Sequence, residues 1–141
     1  LWKAEIPAVK DGTWRFRQLF VDGQRRTRAR LPSEGCYQTA AGAAATKRSF
    51  TYEAGQIDPN WRNFGDVEVV VLQYWTEGRL RIESLDELSH TVTCTGDAFR
   101  PLSWNCGWYV DNVDVGLQQP GQWYLDRATG VLAYHPLPTE G

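Results

Sequence analysis

The chain has 141 residues, a formal net charge of -2 and an aromatic set of 7 Trp, 6 Tyr and 5 Phe. That length predicts a single domain, residues 1–141, able to bury about 70% of its unfolded surface and to fold alone. The nearly balanced charge excludes a global field that would draw in nucleic acid or an anionic membrane surface.

Along the chain, Phe16 to Val21 alternates, and Asp22-Gly23 then joins it to Gln24 to Arg30. Asp-Gly between two extended runs predicts a hairpin, because both central turn positions need φ > 0. Residues 31–47 are rich in Pro, Ser, Gly and Ala and read as a loop. Arg48 to Tyr52 reads as a short strand, and Asp58-Pro59-Asn60-Trp61 as a turn or a one-turn helix capped by Asp58. Asp66 to Trp75 is the clearest strand, with Val67, Val69, Val70, Val71 and Leu72. Glu77-Gly78 is expected to turn it into Arg79 to Ser84, with Leu80 and Ile82 inward. His90 to Thr95 alternates, with Val92 and Cys94 inward. A loop over residues 96–107 precedes strands at Trp108 to Val113, Gln122 to Asp126 and Val131 to Tyr134. Many short strands and no long helix predict an all-β fold, an antiparallel β-sandwich or partly closed β-barrel. The three cysteines are too few for a disulfide framework, and at most one bridge is expected, with Cys94–Cys106 the favoured pair. With no C-x-x-C and only His90 and His135 beside them, no metal site and no cofactor are expected. No apolar run reaches the roughly 18 residues of a membrane span, and no signal-peptide pattern is present. The absence of Met leads to the expectation that the chain is a piece cut from a larger protein, with Leu1 and Gly141 close together.

The run Pro120 to Pro136 predicts a hairpin with aromatic residues on both arms and a Thr129-Gly130 turn. It resembles the run PGEWYLDR-x-TG-x-LYY-x-P that closes a β-rich insert of right-handed parallel β-helix proteins, chiefly glycoside hydrolases. Gln122 stands for the usual Glu and Ala133 for the usual Tyr. Further blocks are similar in the same order: Trp2-Lys3-Ala4, Phe16 to Arg26 with Arg28 to Pro32, Val67 to Trp75 with Leu80 to Ile82, and Tyr109 to Val113. The resemblance implies carbohydrate biology. It also implies that the catalytic carboxylates belong to the host β-helix, so no catalytic residue and no enzyme activity are expected in this chain. The expected partners are a polysaccharide or oligosaccharide and the parent β-helix domain, with no nucleic acid and no membrane. The expected location is extracellular or periplasmic, within a larger secreted protein.

Trp61, Trp104 and Trp108 lie in or beside expected loops, with Asn60, Asn63, Asn105 and Asp111 near in sequence. A flat ring suits the C–H-rich face of a pyranose while amides and carboxylates take its hydroxyls. The same rings could instead plug the ends of a sandwich. Tyr74 and Trp75 should point to opposite faces of a strand, one of them packing and one lying beside Arg79 and Arg81. Arg26, Arg28 and Arg30 should share a face. With Arg25, Lys47 and Arg48 they either hold an acidic polysaccharide such as a uronate, protect an edge strand by charge, or dock on the host. Among the carboxylates no pair is marked out for glycoside hydrolysis, and Glu68 and Asp126 could meet only through the fold. The expected sugar site is Trp104 and Trp108 with Trp61, Asn105, Tyr74 and Arg79, binding with a Kd of about 10 μM to 1 mM. The rival reading is a structural insert that packs on its host or mediates oligomerisation without affinity for sugar.

Overall fold

The computed structural model describes residues 1–39, 45–103 and 106–140. It opens with β1 (Trp2–Glu5) and the four-residue helix α1 (Pro7–Lys10). Next come β2 (Leu19–Val21), β3 (Gln24–Arg28), β4 (Arg30–Leu31), β5 (Tyr37–Gln38) and β6 (Ser49–Thr51). The second half holds β7 (Glu68–Gln73), β8 (Thr76–Asp86), β9 (Thr91–Cys94), β10 (Gly107–Asp111), β11 (Gln122–Asp126) and β12 (Val131–Tyr134). One sheet has the order β1-β12-β11-β3-β2; the other runs β4-β10-β7-β8-β9-β6, with β5 also on β10. The fold is nearly all β, with two sheets, the larger curled as a half-barrel, as the strand pattern predicts. The curl has a local cause in β8. Its first half pairs with β7 and its second with β9, and a bulge between Ile82 and Ser84 bends it between the two.

Alternation then sorts the side chains. Val69, Val71, Leu80, Trp108 and Val110 join Phe50, Val92 and Leu102 in the main core. The other face of the same strands carries Glu68, Val70, Arg79, Arg81, Tyr109 and Asp111, because Glu68 stands opposite both Arg81 and Asp111. A second, smaller core gathers Val9, Trp123, Leu125 and Tyr134 with Phe16, Leu19 and Val21 against it. Buried Ala29 sits where the chain leaves one sheet for the other. Its N–H donates to Trp123 O at 2.7 Å, and its carbonyl accepts from Val113 N at 3.3 Å. Consequently β3 and β4, one extended run in sequence, serve different sheets, and their alternate arginines open onto the space between them.

Several expectations need correction. The strand expected to reach Trp75 stops at Gln73, and the turn is Tyr74-Trp75 rather than Glu77-Gly78. Gly78 lies opposite Val71 inside the ladder, where an added Cβ would sit 3.0 Å from Val71 Cγ2, so this glycine serves packing and not turning. The arginine-rich β3 is no edge strand. It lies between β2 and β11, and Arg26 and Arg28 are buried. All three cysteines are free thiols, so Cys94–Cys106 is not a bridge; Cys94 is fully buried and its thiol is pushed up to about 12 by desolvation. Other expectations hold. Asp22 and Gly23 take φ of 51° and 72° between β2 and β3. Asp126 closes the last hairpin by accepting from Ala128 N and Thr129 N at 3.0 and 3.1 Å. Of the two chain ends, Gly141 lies outside the described residues, but Trp2 is paired with Tyr134.

Candidate functional site

Two surfaces stand out. The first is the tip of the β7–β8 hairpin. Tyr74 is 81% exposed, Trp75 77% and Phe99 51%. Their rings nevertheless touch one another: Tyr74 and Trp75 centroids are 5.7 Å apart, and Trp75 and Phe99 centroids 6.0 Å. The Arg100 guanidinium lies 5.1 Å from the Tyr74 ring centroid and 5.7 Å from that of Phe99. The tip is braced from below by Gln73, whose buried amide donates to Arg100 O at 2.9 Å and accepts from Arg100 N at 3.1 Å. Thr76 Oγ1 donates to Gln73 O at 2.9 Å and ties the two arms. A hollow of about 620 Å³ beside the rings is lined by Leu72, Gln73, Tyr74, Arg100, Pro101, Ser103 and Cys106. A ring cluster held on a braced hairpin is a pre-organised stacking surface, with backbone and amide groups at its rim.

The second surface lies between the sheets. Glu68 and Asp111 face each other across β7 and β10, both buried. Arg28 Nη1 donates to Glu68 Oε2 at 3.0 Å and to Asp111 Oδ2 at 3.5 Å. Arg79 Nη1 is 2.7 Å from Asp111 Oδ2 and 3.6 Å from Glu68 Oε2. Arg17 Nε donates to Glu68 Oε1 at 2.7 Å. Desolvation alone would raise the pKa of Glu68, but the hydrogen bonds and charges of Arg17 and Arg28 outweigh it and hold the carboxyl below its ordinary value. Two carboxylates at one site are the equipment of a glycosidase, yet a general acid there needs a raised pKa. The guanidiniums around Glu68 do the reverse, so this pair is an anchor for arginines rather than a proton donor and its partner.

The residues expected to form one sugar site are dispersed. Trp108 is 0% exposed and packs against Tyr37 and Phe50 with centroids 4.9 Å away in each case. Trp61 is 9% exposed and belongs to the same core. The register of β10 turns Trp108 inward, and Trp61, after the Asp58 turn, packs into the core with only its edge at a surface hollow. Trp104 and Asn105 lie outside the described residues. Tyr74 stands on the aromatic tip, and Arg79 in the arginine cluster, its side chain 29% exposed. One of Tyr74 and Trp75 is expected to pack, but both are exposed and Trp75 is the centre of the cluster; nothing in the sequence marks Phe99 or Arg100. The turn at Tyr74-Trp75 carries no visible signal, since Tyr and Trp are strand formers and extend a Val-rich run without a visible break. Glu68 and Asp126, each buried, are kept in separate ion clusters: Asp126 holds Arg62 at 2.9 Å and Asn63. Among the described residues no group of His, Cys, Asp and Glu is arranged to hold a metal, and no helix is long and apolar enough to cross a membrane.

The site thus sits on a two-sheet β domain with an exposed ring cluster and with Glu68 and Asp111 locked to arginines. The chain belongs to the GH141 insertion domain family, whose family model matches residues 1–137. A solved structure titled "Glycoside hydrolase" shares the fold with a TM-score of 0.72 at 21% identity, over 97% of this chain and 26% of that one. The chain therefore spans about a quarter of the length of that protein. No curated protein matches.

Proposed function

We propose that this domain is a non-catalytic carbohydrate-binding or substrate-positioning element of a glycoside hydrolase whose catalytic part is a right-handed parallel β-helix. The host works on polysaccharide outside the cytoplasm. Its family membership supports the glycoside hydrolase setting. The observation that carries sugar binding is the cluster of Tyr74, Trp75 and Phe99, three large rings left in water and in mutual contact at one hairpin tip. Burying such rings against a pyranose face gains roughly 25 cal/mol per Å² of apolar area. The strand ladder beneath has already fixed their positions, so little ordering remains on binding. Arg100 and the rim of the adjoining hollow supply donors for sugar hydroxyls. A structural insert is a second reading, supported by the exposed apolar side chains of Leu1 and Trp2 at the start of the chain.

The test is affinity electrophoresis through gels of the neutral polysaccharides xylan, β-glucan and mannan, with Trp75→Ala beside the natural chain. Retardation by at least one polysaccharide is expected, and Trp75→Ala should lose it at least tenfold while its melting temperature stays within about 2 °C, because the ring contributes little to the core. Retardation by none of the gels would favour the structural insert.

A further inference from the structure

Although the chain is acidic overall, its arginines are concentrated in one place. Six line a cavity of about 250 Å³ between the sheets, five line a neighbouring one of about 610 Å³, and Arg17 and Arg28 belong to both. Against these nine arginines the walls hold only two carboxylates, Glu68 and Asp111, while just outside them Glu140 pairs with Arg26 and Asp66 with Arg127. The two in the walls are consumed by Arg17, Arg28 and Arg79, which they orient. Arg25, Arg30 and Arg81 have no carboxylate within ion-pair distance among the described residues. Arg30 is nonetheless fixed. Its guanidinium stacks 3.6 Å from the Tyr109 ring centroid, its Nε donates to Pro32 O at 3.0 Å, and its Nη2 donates to Gly35 O. That leaves Nη1 without a hydrogen bond among the described residues. Burial and the like charges of Arg15, Arg81 and Arg28 lower the Arg127 pKa despite Asp66, a sign of how closely cations are crowded there.

We infer that this arginine-lined cleft is a second binding site, for the carboxylate of an acidic saccharide such as a uronate. The inference rests on the carbohydrate-binding reading above and adds the ligand class. Planar guanidiniums held at fixed angles match a carboxylate through paired N–H donors, and a bound anion relieves the crowding of positive charge. The smaller cavity falls below the range typical of drug-sized ligands and suits a single sugar ring. Neutral sugars find little there, since the face of Tyr109 that would stack on a pyranose is covered by Arg30. The cleft therefore selects by charge, while the hairpin tip selects by shape.

The experiment is isothermal titration of this chain with tetragalacturonic acid, a neutral galactose tetrasaccharide and a single-stranded DNA oligonucleotide, at low and high salt. Variants are Arg81→Gln, Arg30→Gln and Trp75→Ala. Arg81 makes no side-chain hydrogen bond or ion pair among the described residues, so its loss leaves the fold intact even where Arg30→Gln loosens the 32–35 loop. The acidic oligosaccharide should bind, weaken at least tenfold in Arg81→Gln and in Arg30→Gln, and stay unchanged in Trp75→Ala; the neutral one should not respond to the arginine variants. The inference is overturned if the acid does not bind, if neither arginine variant weakens it, if only Trp75→Ala does, or if DNA binds equally well and the cleft is a general polyanion face. Loss of the tip's neutral-polysaccharide binding in Trp75→Ala reads the first proposal independently, so either can fail alone.

Discussion

Tyr74 holds a left-handed backbone, φ 51°, at an exposed turn where Asn or Gly fits without strain. A bulky residue there costs on the order of 1 kcal/mol, and nothing in the core repays it, because the ring lies in water. Retaining it fits a ring kept for contact. Tyr74→Asn is therefore expected to raise stability by about 0.5–1 kcal/mol in urea unfolding. The same variant should weaken retardation by the polysaccharide that the natural chain binds. An unchanged affinity would mean that the ring is not part of the sugar surface. Residue identity was legible in the sequence where the chemistry is local: Asp22-Gly23 and the Asp126 turn cap announce themselves. It was not legible for Trp61 and Trp108, since a Trp beside a loop reads the same whether its ring points in or out. Only the register of β10 against β7, which places Trp108 opposite Val71, decides the matter.

Strands were legible as elements wherever alternation or β-branching marks them, and β7, β9, β11 and β12 fall close to their expected positions. Their sheet assignment was not legible. Parallel pairing of β3 with β11 and the change of sheet at Ala29 join residues about a hundred positions apart, and no local pattern encodes that distance. For the same reason the sequence leaves the arginines of β3 open between an edge strand, an acidic-polysaccharide site and a docking face, while the fold makes β3 an inner strand and puts Arg28 over Glu68 and Asp111. The joint between sheets also depends on buried Asn112. Its side-chain amide donates to Leu125 O at 3.2 Å and accepts from Leu125 N at 3.2 Å, standing in for a missing strand beside β11. Asn112→Ala leaves both backbone groups buried and unpaired, at a cost of about 2–4 kcal/mol. Chemical denaturation should report that loss with an unchanged m-value; a change within 0.5 kcal/mol would mean that water or another group takes over.

Across the whole molecule, buried carboxylates paired with arginine set the response to acid. Glu68 and Asp126 both titrate below their ordinary values of 4.5 and 3.8, despite burial that acts the other way. Because their folded pKa values are depressed, the unfolded chain takes up protons first as pH falls. Their stabilisation is complete above about pH 5 and is lost as pH drops through 4.5 toward the folded values. Urea midpoints measured from pH 7 to pH 3 should fall steeply below pH 4.5. Glu68→Gln should be less stable at pH 7 by about 3–5 kcal/mol, since it leaves buried Arg28 short of a partner, and should show a shallower acid limb. A parallel acid limb in the variant would assign the transition to other groups. The pairing of β1 with β12 has a mechanical meaning as well. Trp2 lies opposite Tyr134, so both ends of the chain reach the same end of one two-strand ladder. Tension applied between them peels that ladder open one hydrogen-bonded pair after another, beginning at Trp2, instead of shearing all its bonds together. Before that, it must release Glu140 from Arg26 and Tyr134. The two ends are thus a clasp that opens under load while the aromatic hairpin tip on the second sheet stays outside the line of force.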